Sequence, residues 1–236
     1  MIQTINLSKA YDSILAVDHF NFQAHKGEII ALLGPNGAGK STLMNMMTGF
    51  LAPTSGEILI CGMNIASHPL EIKNQIGFLP EGSPLYPDMS VRMFLKYMAE
   101  IRGVGKDDIE RAIELANISQ VMTQKIETLS KGYLRRVGFA QSILSNPSVL
   151  LLDEPTDGLD PNQKDHMRQL IAAMGTDKTI LISTHLLDEA ETLCNRIVLI
   201  NRGHMMADGT CRNILKQTKT KTLHDAFASL TETKEF

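Results

Sequence analysis

The run Gly34-Pro35-Asn36-Gly37-Ala38-Gly39-Lys40-Ser41-Thr42 fits the pattern G-x-x-x-x-G-K-[ST] and stands where that pattern has a physical use. Residues 28–33 before it read as a strand apolar on both faces, which belongs inside a sheet covered on both sides. Residues 40–50 after it read as a helix with Leu43, Met46 and Met47 on one stripe. Glycines at such a corner let backbone N–H groups turn inward around phosphate oxygens, and the helix amino end adds positive potential. Residues Gly34, Asn36, Gly37, Ala38, Gly39, Lys40, Ser41 and Thr42 are therefore candidates for holding a nucleoside triphosphate. Lys40 is expected to reach the outer phosphates and the Ser41 hydroxyl to bind Mg²⁺.

The rest of the chain sorts around that corner. Short strands are expected at 2–7, 16–22 and 57–61, with a turn at His25-Lys26-Gly27 and a break at Pro53-Thr54-Ser55-Gly56. Between Pro84 and Pro147 the pattern is mostly helical. Ser90 is a good N-cap for a helix carrying Val91, Phe94, Leu95 and Met98 on one face. Met93, Tyr97 and Ile101 form a second apolar stripe about a third of a turn round. Two stripes on one helix mean deep burial or a face offered to a partner. From Pro147 onward strands at 149–152, 179–183 and 196–200 alternate with a helix opened by Asp160-Pro161 and another at 186–194. That alternation predicts a largely parallel, right-handed α/β sheet into which the helical stretch is inserted. The tail after Gly209 reads as helical and polar.

Composition closes off other classes. A net charge of −3 gives no hint of a nucleic-acid partner, and none is expected. No apolar run approaches the roughly 20 residues of a membrane span. Gln3, Asn6 and Ser8 do not suit a signal peptide. Cys61, Cys194 and Cys211 lie far apart, as reduced cytosolic thiols do, and the seven histidines show no ligand-like pairing. The thirteen methionines read as core filler.

Further along, Leu150-Leu151-Leu152-Asp153-Glu154-Pro155 is an apolar strand that delivers two carboxylates at its carboxyl end, the edge where open α/β sheets bind ligands. Asp153 suits the Mg²⁺ shell and Glu154 suits a general base that polarises the attacking water. About twenty residues earlier comes Leu129-Ser130-Lys131-Gly132-Tyr133, followed by a helix with Leu134, Val137 and Ile143 inward. This segment resembles the Leu-Ser-Gly-Gly-Gln signature of the ATP-binding cassette (ABC) ATPases. Asp157-Gly158-Leu159-Asp160 is similar to the family's D-loop and His185 to its switch histidine, so the resemblance covers nearly the whole chain.

The resemblance implies a P-loop NTPase core with a largely parallel sheet, an antiparallel β subdomain and a helical insertion. One ABC ATPase domain then occupies 1–236: 1–84 and 147–210 as ATP-binding core with its β subdomain, 85–146 as helical signature subdomain, and 211–236 as C-terminal helical tail. It implies two copies, or this chain with a related one, facing head to tail around two ATP molecules. Ser130 and the Gly132 amide would then touch the γ-phosphate held by the other subunit. It further implies an adenine-stacking aromatic at Tyr11 with Val17 beside it, and a Q-loop position at Glu81, whose carboxylate can join Ser41 and Asp153 on Mg²⁺. Tyr11 has the plain alternative of a core or surface tyrosine. Two signature positions depart: Lys131 replaces a glycine, which restricts the backbone, and Tyr133 replaces glutamine. Residues 76–86, the Leu-Ser-Lys-Gly-Tyr form and residues 223–230 look like the ABC-2 type exporter group, gliding-motility and drug-export ATPases among them. The implied function is hydrolysis of ATP on the cytoplasmic face of a membrane, driving solute export through a separate transmembrane permease subunit that docks near residues 81–86 and 90–102. A cluster-assembly ATPase, a non-transport member of similar size, is the alternative.

Overall fold

The structure, a computed structural model, describes residues 1–231. Its elements in chain order are β1 (Ile2–Tyr11), β2 (Ile14–Ala24), β3 (Ile29–Leu33), α1 (Lys40–Met47), β4 (Ser55–Ile60), β5 (Met63–Asn64), α2 (Pro69–Gln75) and β6 (Ile76–Leu79). Then follow α3 (Val91–Arg102), α4 (Lys106–Ala116), α5 (Lys131–Ile143), β7 (Val149–Asp153), α6 (Pro161–Met174) and β8 (Thr179–Thr184). The chain continues through α7 (Leu187–Leu193), β9 (Arg196–Asn201), β10 (His204–Gly209), α8 (Cys211–Thr218) and α9 (Leu223–Thr231).

Two sheets result. One has the order β10-β9-β3-β8-β7-β6, parallel from β9 to β6 with β10 antiparallel at one edge. The other is antiparallel, in the order β2-β1-β4-β5. Every residue of β3, β7 and β8 is buried, because apolar side chains leave both faces of these central strands and both faces are covered. Ile30, Leu32, Leu151 and Leu181 share one cluster with Leu43, Met46 and Met47 of α1 and with Ile2, Phe20 and Ile58 of the antiparallel sheet. On the opposite face Leu150, Leu152, Ile180 and Ile182 pack with Phe94, Ile113, Val137 and Phe139 of α3, α4 and α5. Each Leu or Ile buried in this way contributes about 1.5–3 kcal/mol. The helix that opens at the Gly-rich corner is thus clamped between two sheets. The helices inserted after β6 cover the far side.

Several boundaries differ from the sequence reading for local reasons. The first two strands run past 7 and begin before 16, joined through a tight turn in which Asp12 takes a φ of 50°. The helix expected to reach 50 stops at Met47, since Gly49 takes a φ of 74° that no helix continues. Ser55 and Gly56, expected as a break, belong to β4. The β9–β10 hairpin was not expected; it turns on Arg202-Gly203, both with positive φ (48° and 81°), as tight hairpins require. The tail is not simply polar: Leu223 and Ala226 of α9 are buried, with Phe227 and Leu230 packed against Ala31, Leu33 and Leu199. Residues 232–236 of the expected tail lie outside the described residues.

Candidate nucleotide site

β3 ends at Leu33 and releases the loop that leads into α1. At Gly39, the residue before α1, φ is 105° and an added Cβ would stand 2.4 Å from the Ala16 carbonyl oxygen, so only glycine makes this corner. Lys40 is buried and its ammonium donates to the carbonyls of Gly34 (2.7 Å) and Pro35 (3.1 Å), clasping the loop's own backbone. Burial pulls its pKa down, while Glu154, Asp153 and Glu81 pull it up. A cavity of about 380 Å³ opens above the loop. Asn36, Gly37, Gly39, Lys40, Ser41 and Thr42 line it, and so do Glu81, Asp153, Glu154 and His185 from other elements. Residues separated by more than a hundred positions are therefore brought to one place by the parallel order of β3, β8, β7 and β6. Gly34 and Ala38 form the loop's inner side and do not line the cavity.

The carboxylates arrive where β7 ends. Asp153 is buried at the last position of the strand, directly paired in register with Ser183 of β8. At Glu154 the chain leaves the sheet with a φ of 51°, held there by its N–H donating to the Ser183 carbonyl at 2.9 Å. Its Oε1 accepts from His185 Nδ1 at 2.8 Å. An ionised carboxylate only accepts, so Nδ1 is the donor in this contact. Burial raises the pKa of Glu154, opposed by the His185 hydrogen bond and charge and by Lys40. A carboxylate made more basic by burial, and oriented by a histidine, has the character of a general base.

Other expected site residues stand apart from this cavity. Ser130 caps α5, its Oγ accepting from the Tyr133 N–H at 3.4 Å, and is exposed. Gly132 is covered by Gln163, whose Oε1 would be 2.2 Å from an added Cβ. Lys131 is exposed and lies against Gly158. It lines a second cavity, about 420 Å³, that shares Glu81, Glu154 and Asp157 with the first. Tyr133, in place of the family's glutamine, accepts a hydrogen bond from Gln120 Nε2 (2.6 Å) and lies beside the Arg136 guanidinium. Tyr11 is surface-exposed at the β1–β2 turn with the Lys9 ammonium 5.3 Å from its ring centroid, outside the cavity lining. Val17 is wholly buried beneath Gly39, so it packs the loop and has no surface for a base.

The sequence reading missed three residues at this site. Ala16 and Ser183 line the first cavity, and Arg135 lines the second. Aligning the two strands 149–152 and 179–183 carboxyl end to carboxyl end would have found Ser183. Two arginines, 135 and 136, between the apolar positions 134 and 137 were the available signal, and it does not tell Arg135 from its neighbour.

Away from these residues a larger groove of about 810 Å³ runs beside α3. Phe50, Leu70, Tyr86 and Ile101 line it, with 88%, 73%, 51% and 61% of their surfaces exposed. The second stripe of α3 continues this surface: Met93 and Tyr97 are exposed, with the Tyr97 ring edge-on to Tyr86 at 5.8 Å.

No helix among the described residues is long and apolar enough to cross a membrane. Comparison with known proteins agrees with the geometry. The family profile described as ABC transporter matches residues 17–157. The Nod factor export ATP-binding protein I of Burkholderia thailandensis is 36% identical over 215 residues, 89% of this chain and 71% of that protein. A solved ATP-binding subunit of an ABC transporter superposes with a TM-score of 0.91 at 27% identity, covering 98% of this chain and 99% of the other. A cassette solved as a dimer bound to ADP and Pi shares the fold, with a TM-score of 0.83 at 24% identity over 89% of this chain and 98% of that one. These likenesses favour a transporter ATPase over the cluster-assembly alternative. With a phosphate-binding loop, a strand-end carboxylate pair and a signature helix in one α/β frame, the chain belongs to the ABC transporter family, as an ATP-binding and ATP-hydrolysing subunit.

Proposed function

We propose that this subunit powers export through a separate transmembrane permease by closing on MgATP as a head-to-tail pair and hydrolysing it with Glu154 as general base. The observation that carries the reading is the convergence of Lys40, Ser41, Glu81, Asp153, Glu154 and His185 on one cavity. In this reading the loop amides and Lys40 bind the phosphates, and Tyr11, exposed at the β1–β2 turn, is the aromatic offered to the adenine. Glu154 accepts a proton from the attacking water, and His185 orients Glu154 through Nδ1. Ser41, Glu81 and Asp153 form an all-oxygen donor set of the kind that holds Mg²⁺ beside phosphates. Bound there, the ion would neutralise developing charge on the phosphate oxygens.

Ser130 and the Gly132 amide, at the amino end of α5, supply contacts to the ATP held by the other subunit. The division into a core (1–84 and 147–210), a helical subdomain (85–146) and a tail from 211 is supported by α3, α4 and α5 lying between the paired strands β6 and β7. The apolar groove of Phe50, Leu70, Tyr86 and Ile101 suits a short amphipathic segment of the permease. Docking there puts the chain on the cytoplasmic face of a membrane. Export as the direction rests on the names of relatives such as the Nod factor export protein.

Size-exclusion chromatography with light scattering on Glu154→Gln tests this reading. A shift from monomer to dimer only with MgATP is expected. A variant that binds MgATP and remains monomeric refutes the homodimer and leaves pairing with a different cassette chain to be tested by co-expression.

A further inference from the structure

Arg135 sits in the middle of α5, only 6% exposed, flanked by the core residues Val137, Phe139 and Ala140. Burying a guanidinium costs several kcal/mol unless its donors are met. Among the described residues Arg135 forms no ion pair with a carboxylate. Its donors go instead to two loops. Nη1 donates to the Pro80 carbonyl (2.7 Å) and the Ser83 hydroxyl (3.0 Å). Nη2 donates to the carbonyls of Asp153 and Glu154 (2.6 Å to the latter), and Nε to that of Pro155 at 3.4 Å. Three consecutive carbonyls of the strand-end loop thus converge on one cation, and the other two acceptors bracket Glu81.

This arrangement depends on α5 lying unusually close to β6. An added Cβ at Gly77 would stand 2.1 Å from the Ser142 carbonyl oxygen, and one at Gly138 would stand 2.9 Å from Ser83 Oγ. Two side-chain-free positions let the helix approach until the guanidinium spans both loops. What it grips is the strained part of the site: Glu154 has a φ of 51°, a conformation costing roughly 1–2 kcal/mol for a residue with a Cβ. Pro80 and Ser83 are also walls of the docking groove.

We propose that Arg135 is a positioning residue for hydrolysis: by gripping the carbonyls of residues 153–155 it holds Glu154 in the conformation that presents its carboxylate to the attacking water, and it ties that loop to the groove wall at Pro80 and Ser83. The proposal rests on the reading of Glu154 as general base. A fork of five donors does this and a lysine cannot, since a single ammonium reaches only some of the acceptors.

The test is a double-variant cycle on the full chain, with Arg135→Gln and Arg135→Lys each made alone and with Glu154→Gln, reading single-turnover ATP cleavage, ATP affinity and Tm. A displacement of about 1 Å at a reacting group costs on the order of 10²-fold. Arg135→Gln is therefore expected to slow cleavage about 10- to 100-fold with ATP affinity within about threefold, and Arg135→Lys to slow it less than Arg135→Gln but by at least about threefold. In the Glu154→Gln background the same changes should cost less than about threefold, because the group being positioned is gone. A general structural role predicts the full loss in both backgrounds, and that result overturns the proposal; so does cleavage within twofold of the parent in either single variant. Should Arg135→Gln not fold, the Arg135→Lys cycle decides by the same criteria. A slow Glu154→Gln with a fast Arg135 variant refutes this inference alone. A fast Glu154→Gln refutes the general-base reading and this inference with it.

Discussion

Replacing Glu154 with glutamine removes one charge and almost no volume, and the structure says what else survives. The substituted side chain would keep an amide oxygen where Oε1 now accepts from His185 Nδ1, so the imidazole keeps its partner and orientation. The loop keeps its hydrogen bond from the residue 154 N–H to the Ser183 carbonyl. What is lost is the capacity to take a proton. General-base catalysis contributes about 10²- to 10⁴-fold, or roughly 2.7–5.5 kcal/mol at about 1.36 kcal/mol per decade. Turnover should fall by that factor while MgATP still binds, and phosphate release under single-turnover conditions is the assay. Turnover within threefold of the parent would remove Glu154 from the role.

The same substitution carries a stability signature with a definite sign. Burial holds the Glu154 carboxyl above its ordinary value of 4.5. A group whose pKa is higher in the folded state favours folding while protonated, and that contribution is lost as pH rises through the folded-state value. Above the folded-state value the folded parent carries an ionised, partly desolvated carboxylate, and Glu154→Gln does not. Above the folded-state value the variant should melt at a higher temperature than the parent, with the gain shrinking as pH falls toward and below the ordinary carboxylate range. The parent's turnover should decline over the acid limb while the variant's residual rate lacks that limb. A gain that grows toward acid, or a variant less stable than the parent on the alkaline side, would refute the reasoning.

Lys40→Ala should weaken MgATP binding by about 10- to 100-fold, the scale of a lost charge-assisted hydrogen bond; unchanged affinity by calorimetry would count against the phosphate loop. Ser130→Asp keeps a good N-cap for α5, so Tm should hold, while its charge opposes the partner's γ-phosphate and blocks the ATP-dependent dimer. An intact dimer by light scattering would argue against the shared site. Ile101→Glu places a charge in the apolar groove at an exposed position, so ATP hydrolysis by the isolated subunit should be unchanged while co-purification with the permease is lost; retained co-purification would move the docking site elsewhere.

How much of this was legible in the chain depended on the range of the interaction. The loop at 34–42 and the strand ending in Asp153-Glu154 were readable because each is one continuous segment whose chemistry follows from local backbone direction. The Ser90 and Asp160 caps were readable for the same reason, and both side chains accept from the third residue onward as expected. Hairpins that turn on residues other than the favoured pairs were not: Arg202-Gly203 carries half of that signal, and β10 went unseen. The tail looked polar because its apolar positions, Leu223, Ala226, Phe227 and Leu230, are sparse and gain meaning only against the outer face of β3 and β9.

Arg135 shows why the remainder resists a linear reading. Its partners at 80, 83 and 153–155 lie 18 to 55 positions away, and all but one are backbone carbonyls, which every residue type possesses. A motif records the side chains that do chemistry. A grip on carbonyls records nothing at the gripped positions, so no pattern there can announce it. The only mark it leaves is at the gripping end, as a charge where helical periodicity calls for burial, together with glycines at 77 and 138 that permit the approach. A buried cation with no carboxylate in contact is costly to keep, even with Asp153, Asp157, Glu154 and Glu81 acting on it from further off. Where one sits beside a strained backbone at the reacting end of a sheet, the conformation of that backbone is the natural thing for it to stabilise.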